Sequence, residues 1–227
     1  MTDLTEIEAG LKPETVAELR AAGVVAGRPL IAIDMDDTLV HFVGHMSEWM
    51  IGRGFEMRLN SYQLEGSMFK LGSDRPLPFE DCIQIINDFF AAETERQREI
   101  DGAVSAVEDL AHLAQIVILT NVPRHAAAAR QVNLDNLGLD HPLVINSGGK
   151  GRAMAWLAAQ AEAPVALVDD STTQLESVAK HASEAVRIHF AGTEHIARLY
   201  PTCEVAHDQV RDWVECRSAL VARMGLA

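Results

Sequence analysis

The sequence predicts an α/β fold: a doubly wound parallel sheet with a small helical lobe inserted after its first strand. Three observations carry this. From residue 100 onward, short β-branched runs alternate with helix-like stretches. A single apolar run at 29–34 precedes them, and the roughly sixty residues between hold helix-like pieces but no convincing strand.

The first strand is the apolar run ending in "LIAID". "QIVILT" (115–120), "PLVIN" (142–146), "APVALVD" (163–169) and "AVRIHF" (185–190) read as the later strands, each a short apolar, β-branched run. Between them, "GAVSAVEDLAHLA", "RHAAAARQVNLDNLG", "KGRAMAWLAAQAE" and "TTQLESVAKHA" have helical periodicity. Such alternation implies a parallel sheet covered on both faces, a Rossmann-like core spanning 1–42 and 100–227. The insertion, 43–99, contains "HMSEWMIGRG", "SYQLEGSMFKLG" and "PFEDCIQIINDFFAAETERQRE", with Pro76 and Pro78 separating the last two. A helical cap over the strand ends is the expectation. Residues 13–22 read as a short helix, with Pro13 suited to its first turn.

Composition narrows the function. The chain has 227 residues and a formal net charge of −14, which argues against broad nucleic-acid binding because affinity for polyanions comes largely from Lys and Arg. No apolar run approaches the roughly 18 residues of a membrane span, and "MTDLTEIEAG" does not resemble a signal peptide. Cys82, Cys203 and Cys216 lack paired C-x-x-C spacing. A reduced cytoplasmic protein is expected, with its oligomeric state open and a homodimer as one option.

Ligands of open parallel sheets bind outside the carboxyl ends of the strands. There the sequence places Asp34 and Asp36, then Thr120 and Asn121, then Lys150 after "NSGG", then Asp169 and Asp170 followed by Ser171. Each has an ordinary explanation, the acids and Ser171 as cap or turn residues, Thr120 and Asn121 as strand-exit residues and Lys150 as a solvated helix lysine, and Asp37 and Thr38 are expected to be turn residues. Together, from four separate strands, they mark a site. "INSGGKGRA" is not a Walker-type loop: that pattern needs Gly where Val144 stands and Ser or Thr where Gly151 stands. His41 and His45 are expected as hinge residues rather than metal ligands. Trp49, Phe55, Tyr62, Phe69, Phe89 and Phe90 are expected as the lobe's core, and Arg53, Arg58, Lys70 and Arg75 are candidates to contact substrate.

The set resembles the haloacid dehalogenase-like superfamily of phosphotransferases. "DMDDT" is similar to its first motif, "VILTN" to the second, Lys150 to the third and "VALVDDS" to the fourth, and the insertion resembles its small type 1 cap. The resemblance implies a phosphatase acting on a small phosphorylated metabolite, with Asp34 as nucleophile forming an aspartyl-phosphate and Asp36 as acid–base. It implies Mg²⁺ held by Asp34, the Asp36 carbonyl and the acidic pair Asp169–Asp170, either of which could be the direct ligand, with Asp170 direct and Asp169 through water the favoured order. Lys150 would offset charge, and Thr120 and Asn121 would bind phosphoryl oxygens. Neighbouring acids are expected to keep Asp36 protonatable. Dehalogenase and phosphonatase branches lack an acid at the position of Asp36, which points to phosphate esters. A phosphomutase or phosphotransferase, or a low-turnover binding protein, is the alternative. "TNVPRH" and the cap size are loosely similar to 5′(3′)-deoxyribonucleotidase-like members, which makes a nucleotide monophosphate one candidate substrate.

Overall fold

The computed structural model describes residues 4–59, 66–199 and 202–226. Two short helices, α1 (Leu4–Ala9) and α2 (Pro13–Ala21), precede β1 (Leu30–Ile33). Then come α3 (Val43–Ile51), β2 (Phe55–Met57), β3 (Met68–Lys70) and α4 (Phe79–Glu93). A single 3₁₀ turn at Thr94–Arg96 leads into α5 (Ala103–Ala111) and β4 (Gln115–Thr120). The remainder alternates: α6 (Ala127–Leu137), β5 (Leu143–Ile145), α7 (Gly151–Ala161), β6 (Val165–Asp169), α8 (Thr172–His181) and β7 (Val186–Phe190). It ends with α9 (Glu194–Leu199), β8 (Asp208–Val210) and α10 (Trp213–Met224).

Six strands form one parallel sheet in the order β5-β4-β1-β6-β7-β8. The reversal of order beside β1 makes it doubly wound and opens a crevice at the strand ends. Side chains alternate across the sheet, which sorts β1 cleanly. Ile31 and Ile33 join the core beneath α5 and α10, with Val107, Leu110, Trp213 and Leu220. Leu30 and Ala32 face the other way, toward Leu19, Met154, Leu157, Leu175 and Val178 of α2, α7 and α8. Both faces are therefore dry, as uninterrupted apolar strands require.

The lobe departs from the all-helical expectation. β2 and β3 pair as an antiparallel hairpin, Phe55 opposite Lys70 and Met57 opposite Met68. The "SYQLEGSMFKLG" stretch is not a helix where it is described: Gly66 and Gly72 sit at φ 77° and 76° on either side of β3, a conformation that favours glycine and breaks helical continuity. Its residues 61–65, Tyr62 among them, lie outside the described residues. The aromatic expectation otherwise matches the packing. Phe89 and Phe90 are buried in one cluster with Trp49 and Phe55 packed against it, and Phe69 is also buried. That cluster also takes in Val122, Ala126 and Ile145, so the lobe rests on the sheet side of the chain.

Candidate active site

β1 delivers Asp34 to the crevice, where its backbone N–H donates to the Val168 carbonyl at 3.0 Å and continues the β1–β6 pairing. The chain then turns sharply: the amides of Thr38, Leu39 and Val40 all donate to the Met35 carbonyl. Asp37 takes a left-handed φ of 56° in this turn, which aspartate tolerates better than most residues. Its carboxylate accepts from the amides of Phe42 and Val43 at 3.1 and 3.2 Å and from His195 Nε2 at 3.0 Å. Asp37 thus fixes the turn and the start of α3, as expected of a turn residue, while His195 was not anticipated.

Lys150 is the centre of the site. It is 1% exposed, and its Nζ donates to Asp34 Oδ1 at 2.5 Å and to Asp169 Oδ2 at 2.6 Å. The glycines around it act through packing. A Cβ on Gly151 would lie 2.0 Å from the Ser177 carbonyl oxygen, and one on Gly149 would lie 2.3 Å from Ser177 Oγ. Only glycine lets α7 start this close to α8, and that approach carries the lysine under the carboxylates. Asp169 Oδ1 accepts the Ser171 amide at 2.9 Å. Asp170 is buried beside it.

Two buried carboxylates therefore share one ammonium, and a third, Asp170, is buried beside them. Burial pushes Asp34 upward, and although Lys150 opposes this, Asp169 and Asp36 add to it, leaving the group at about 7. Asp170 is raised well above the ordinary carboxylate range, first by burial and then by Asp169, Asp34 and Asp37. Burial alone would lower Lys150, but Asp169 and Asp34 outweigh it and hold the lysine charged. Carboxylate oxygens of Asp34, Asp169 and Asp170 lie within 4.8 Å of one another. An all-oxygen, negatively charged set of this kind suits a hard divalent cation such as Mg²⁺, so the residues fit that ion.

All seven residues singled out from the sequence, Asp34, Asp36, Thr120, Asn121, Lys150, Asp169 and Asp170, line one cavity of ≈ 270 Å³. Phe42, Val43, Leu59 and Leu199 give it an apolar side, and His195 and Gln174 add polar groups. Thr120 Oγ1 accepts the Val122 amide at 3.3 Å, and the Asn121 side chain bridges Gly148 and Asn146. Arg53, Arg58, Lys70 and Arg75 are not among the lining residues. Arg53 stacks on Trp49 and Arg58 on Phe69, so these two serve the lobe instead. His45 likewise lies 3.3 Å from Glu93, joining α3 to α4, and His41 pairs by its backbone with Arg98.

One expectation fails at Asp36. Its immediate partner is not another acid but Arg130, whose Nη2 donates to Asp36 Oδ1 at 2.6 Å, with Gln97 Nε2 on the same oxygen at 3.0 Å. Arg130 is invisible to motif reading, since one arginine in "AAAARQVNL" looks like a solvated helix residue. The available signal was its spacing: Arg130, Asn133 and Leu134 share one buried face of α6.

No family model matches the sequence, and no curated protein matches it. Solved structures do. A haloacid dehalogenase (HAD) family hydrolase from Deinococcus radiodurans, with bound phosphate and sodium, aligns over 91% of this chain and 99% of its own at TM-score 0.60 and 17% identity. A haloacid dehalogenase-like protein from Agrobacterium tumefaciens aligns over 86% and 99% at TM-score 0.59 and 19% identity. The L-2-haloacid dehalogenase of Xanthobacter autotrophicus aligns over 84% and 97% at TM-score 0.50 and 13% identity. The strand order, the crevice and these likenesses agree: the chain adopts the fold of the haloacid dehalogenase-like hydrolases.

Proposed function

We propose that the protein is a Mg²⁺-dependent phosphatase of small phosphate monoesters, working through an aspartyl-phosphate on Asp34. The observation that carries this is the arrangement of Asp34, Asp169 and Asp170 around buried Lys150, with Asp36 two residues beyond Asp34 in the same cavity. Fold likeness alone does not fix an activity, and the same fold includes a dehalogenase. The presence of Asp36 favours esters over halides, because an alkoxide leaving group needs a proton and a halide does not. The Deinococcus protein of the same fold was solved with bound phosphate and sodium, which is in keeping with an oxyanion and a cation as ligands.

In the first step an Asp34 carboxylate oxygen attacks phosphorus, the ester P–O bond breaks, and Asp36 gives a proton to the departing oxygen. In the second, water attacks the same phosphorus and loses a proton to Asp36. The Asp34–phosphorus bond breaks, and inorganic phosphate leaves. Asp34, Asp170 and the Asp36 carbonyl would hold Mg²⁺, with Asp169 contributing through water, since its two oxygens already serve Lys150 and the Ser171 amide. Bound there, the cation supplies charge neutralisation for the phosphoryl group and the crowded acids. Lys150 holds Asp34 in place, while Thr120 and the Asn121 amide would meet the phosphoryl oxygens. The lobe of residues 43–99 would act as the cap, closing the apolar side over a compact ester and excluding water.

A phosphate-release panel of metabolite monoesters with MgCl₂ tests this. Turnover of at least one ester, abolished in Asp34→Asn and strongly reduced in Asp36→Asn, is the expected result. No release from any ester would refute it, as would activity that survives in Asp34→Asn.

A further inference from the structure

Arg130 has no part in the chemistry described so far, yet it is fully buried. A guanidinium inside a protein persists only with partners, and here they form a closed ring. Arg130 Nη2 donates to Asp36 Oδ1 at 2.6 Å and Nη1 to Asn133 Oδ1 at 3.2 Å. Asn133 Nδ2 donates to the Gln97 carbonyl at 2.8 Å, and Gln97 Nε2 returns to Asp36 Oδ1 at 3.0 Å. Gln97 lies just beyond the 3₁₀ turn, where the chain comes back from the lobe. That return is clamped to the departure: the His41 amide donates to the Arg98 carbonyl at 3.0 Å, and Gln97 Nε2 also reaches the His41 carbonyl at 3.2 Å.

The geometry at the carboxylate is what separates this ring from a plain structural ion pair. Arginine commonly grips a carboxylate with its fork, one nitrogen to each oxygen. Here a single nitrogen makes the contact, Nε finds no partner, and both donors converge on Oδ1. Oδ2 has no hydrogen-bond partner among the described residues, in a side chain that lines the cavity. An oxygen that already accepts two donors has little room for a proton, so the proton of the acid form belongs on Oδ2.

We propose that Arg130 and Gln97 are positioning residues: they hold Asp36 by Oδ1 so that Oδ2 faces the leaving-group oxygen, and they tie that aim to the segment joining lobe and core. The proposal rests on the phosphatase reading above. Its signature is a dependence on the leaving group, because p-nitrophenolate departs without a proton and an alkoxide does not. The useful quantity is kcat/KM, which covers events up to departure of the leaving group.

The experiment compares p-nitrophenyl phosphate with an alkyl phosphate accepted by the wild type, in Arg130→Met, Arg130→Lys and Gln97→Leu. Arg130→Met should lower kcat/KM about 100-fold on the alkyl ester and under about 5-fold on the aryl ester, the range general-acid catalysis supplies. Arg130→Lys should recover part of the alkyl loss. Gln97→Leu, which removes no charge, should show the same selectivity at about 10-fold against 2-fold, and it decides the matter if Arg130→Met does not fold. Equal losses on both esters with wild-type turnover intact would overturn the positioning role and leave the phosphatase reading standing. A wild type silent on both esters would remove that reading and the proposal together.

Discussion

Consider Asp34→Asn in protein stripped of divalent cations. Burial, countered by Lys150 but reinforced by Asp169 and Asp36, holds Asp34 at about 7, against an ordinary value of 3.8. The folded state therefore binds this proton more tightly than the unfolded chain does. A carboxyl raised in this way contributes its full stability at pH below 3.8 and loses it as pH climbs through the interval to about 7. Between pH 5 and pH 8 the loss is on the order of 3 kcal/mol. Asp170 is shifted in the same direction and steepens the decline.

Asparagine cannot ionise, so the substitution should stabilise the metal-free protein, and increasingly so with pH. Its advantage should grow from pH 5 to pH 8 by roughly 6–12 °C in Tm, at about 2–4 °C per kcal/mol for a chain of this size. Thermal melts of both proteins at pH 5, 6, 7 and 8 in EDTA provide the measurement. Saturating Mg²⁺ should flatten the wild-type decline, because a cation bound by the ionised acids favours that form. Parallel melting curves for the two proteins across this pH range would refute the reasoning: Asp34 would then carry no burial strain to relieve.

Three other outcomes follow from the same geometry. Lys150→Met leaves three buried carboxylates without their cation, and should cost about 3–5 kcal/mol at pH 8 in urea titrations, and less at pH 5, where the acids can take up protons. Gly151→Ala drives a Cβ into the backbone of Ser177 and should cost about 3 kcal/mol, whereas Gly149→Ala meets chiefly the Ser177 side chain, which can move, and should cost about 1 kcal/mol. Chelation should abolish phosphate release, with Mg²⁺ restoring it, as titration of EDTA-treated enzyme would show.

The sheet was legible because its strands are buried on both faces and so read as unbroken apolar runs. β8 was not, since "DQV" at the sheet's edge is three residues long and mostly polar. The lobe's hairpin was missed for a related reason: strands of three residues are too short to display a period of two, and Met68 and Phe69 fit a helical pattern equally well. The site residues were readable because parallel topology sends every strand's carboxyl end to one rim. The ring around Asp36 was not, because it depends on where α6 lies against the lobe's return segment, a contact between positions 94 apart in the chain. His195, brought over the cavity from beyond β7, was hidden in the same way.

The acids that seem crowded in "DMDDT" are separated by their cations. Asp34 joins Asp169 and Asp170 around lysine, a compact charge whose three donors can serve more than one carboxylate at once. Asp36 lines the same cavity but is held through Oδ1 by arginine, which cannot lose its proton. Asp37 is turned into the backbone and His195. A nucleophile and a metal site call for concentrated negative charge, while proton transfer calls for one carboxyl with a free oxygen and a defined aim. The division of labour among these aspartates lies in the helices behind them, and only part of it in the motif.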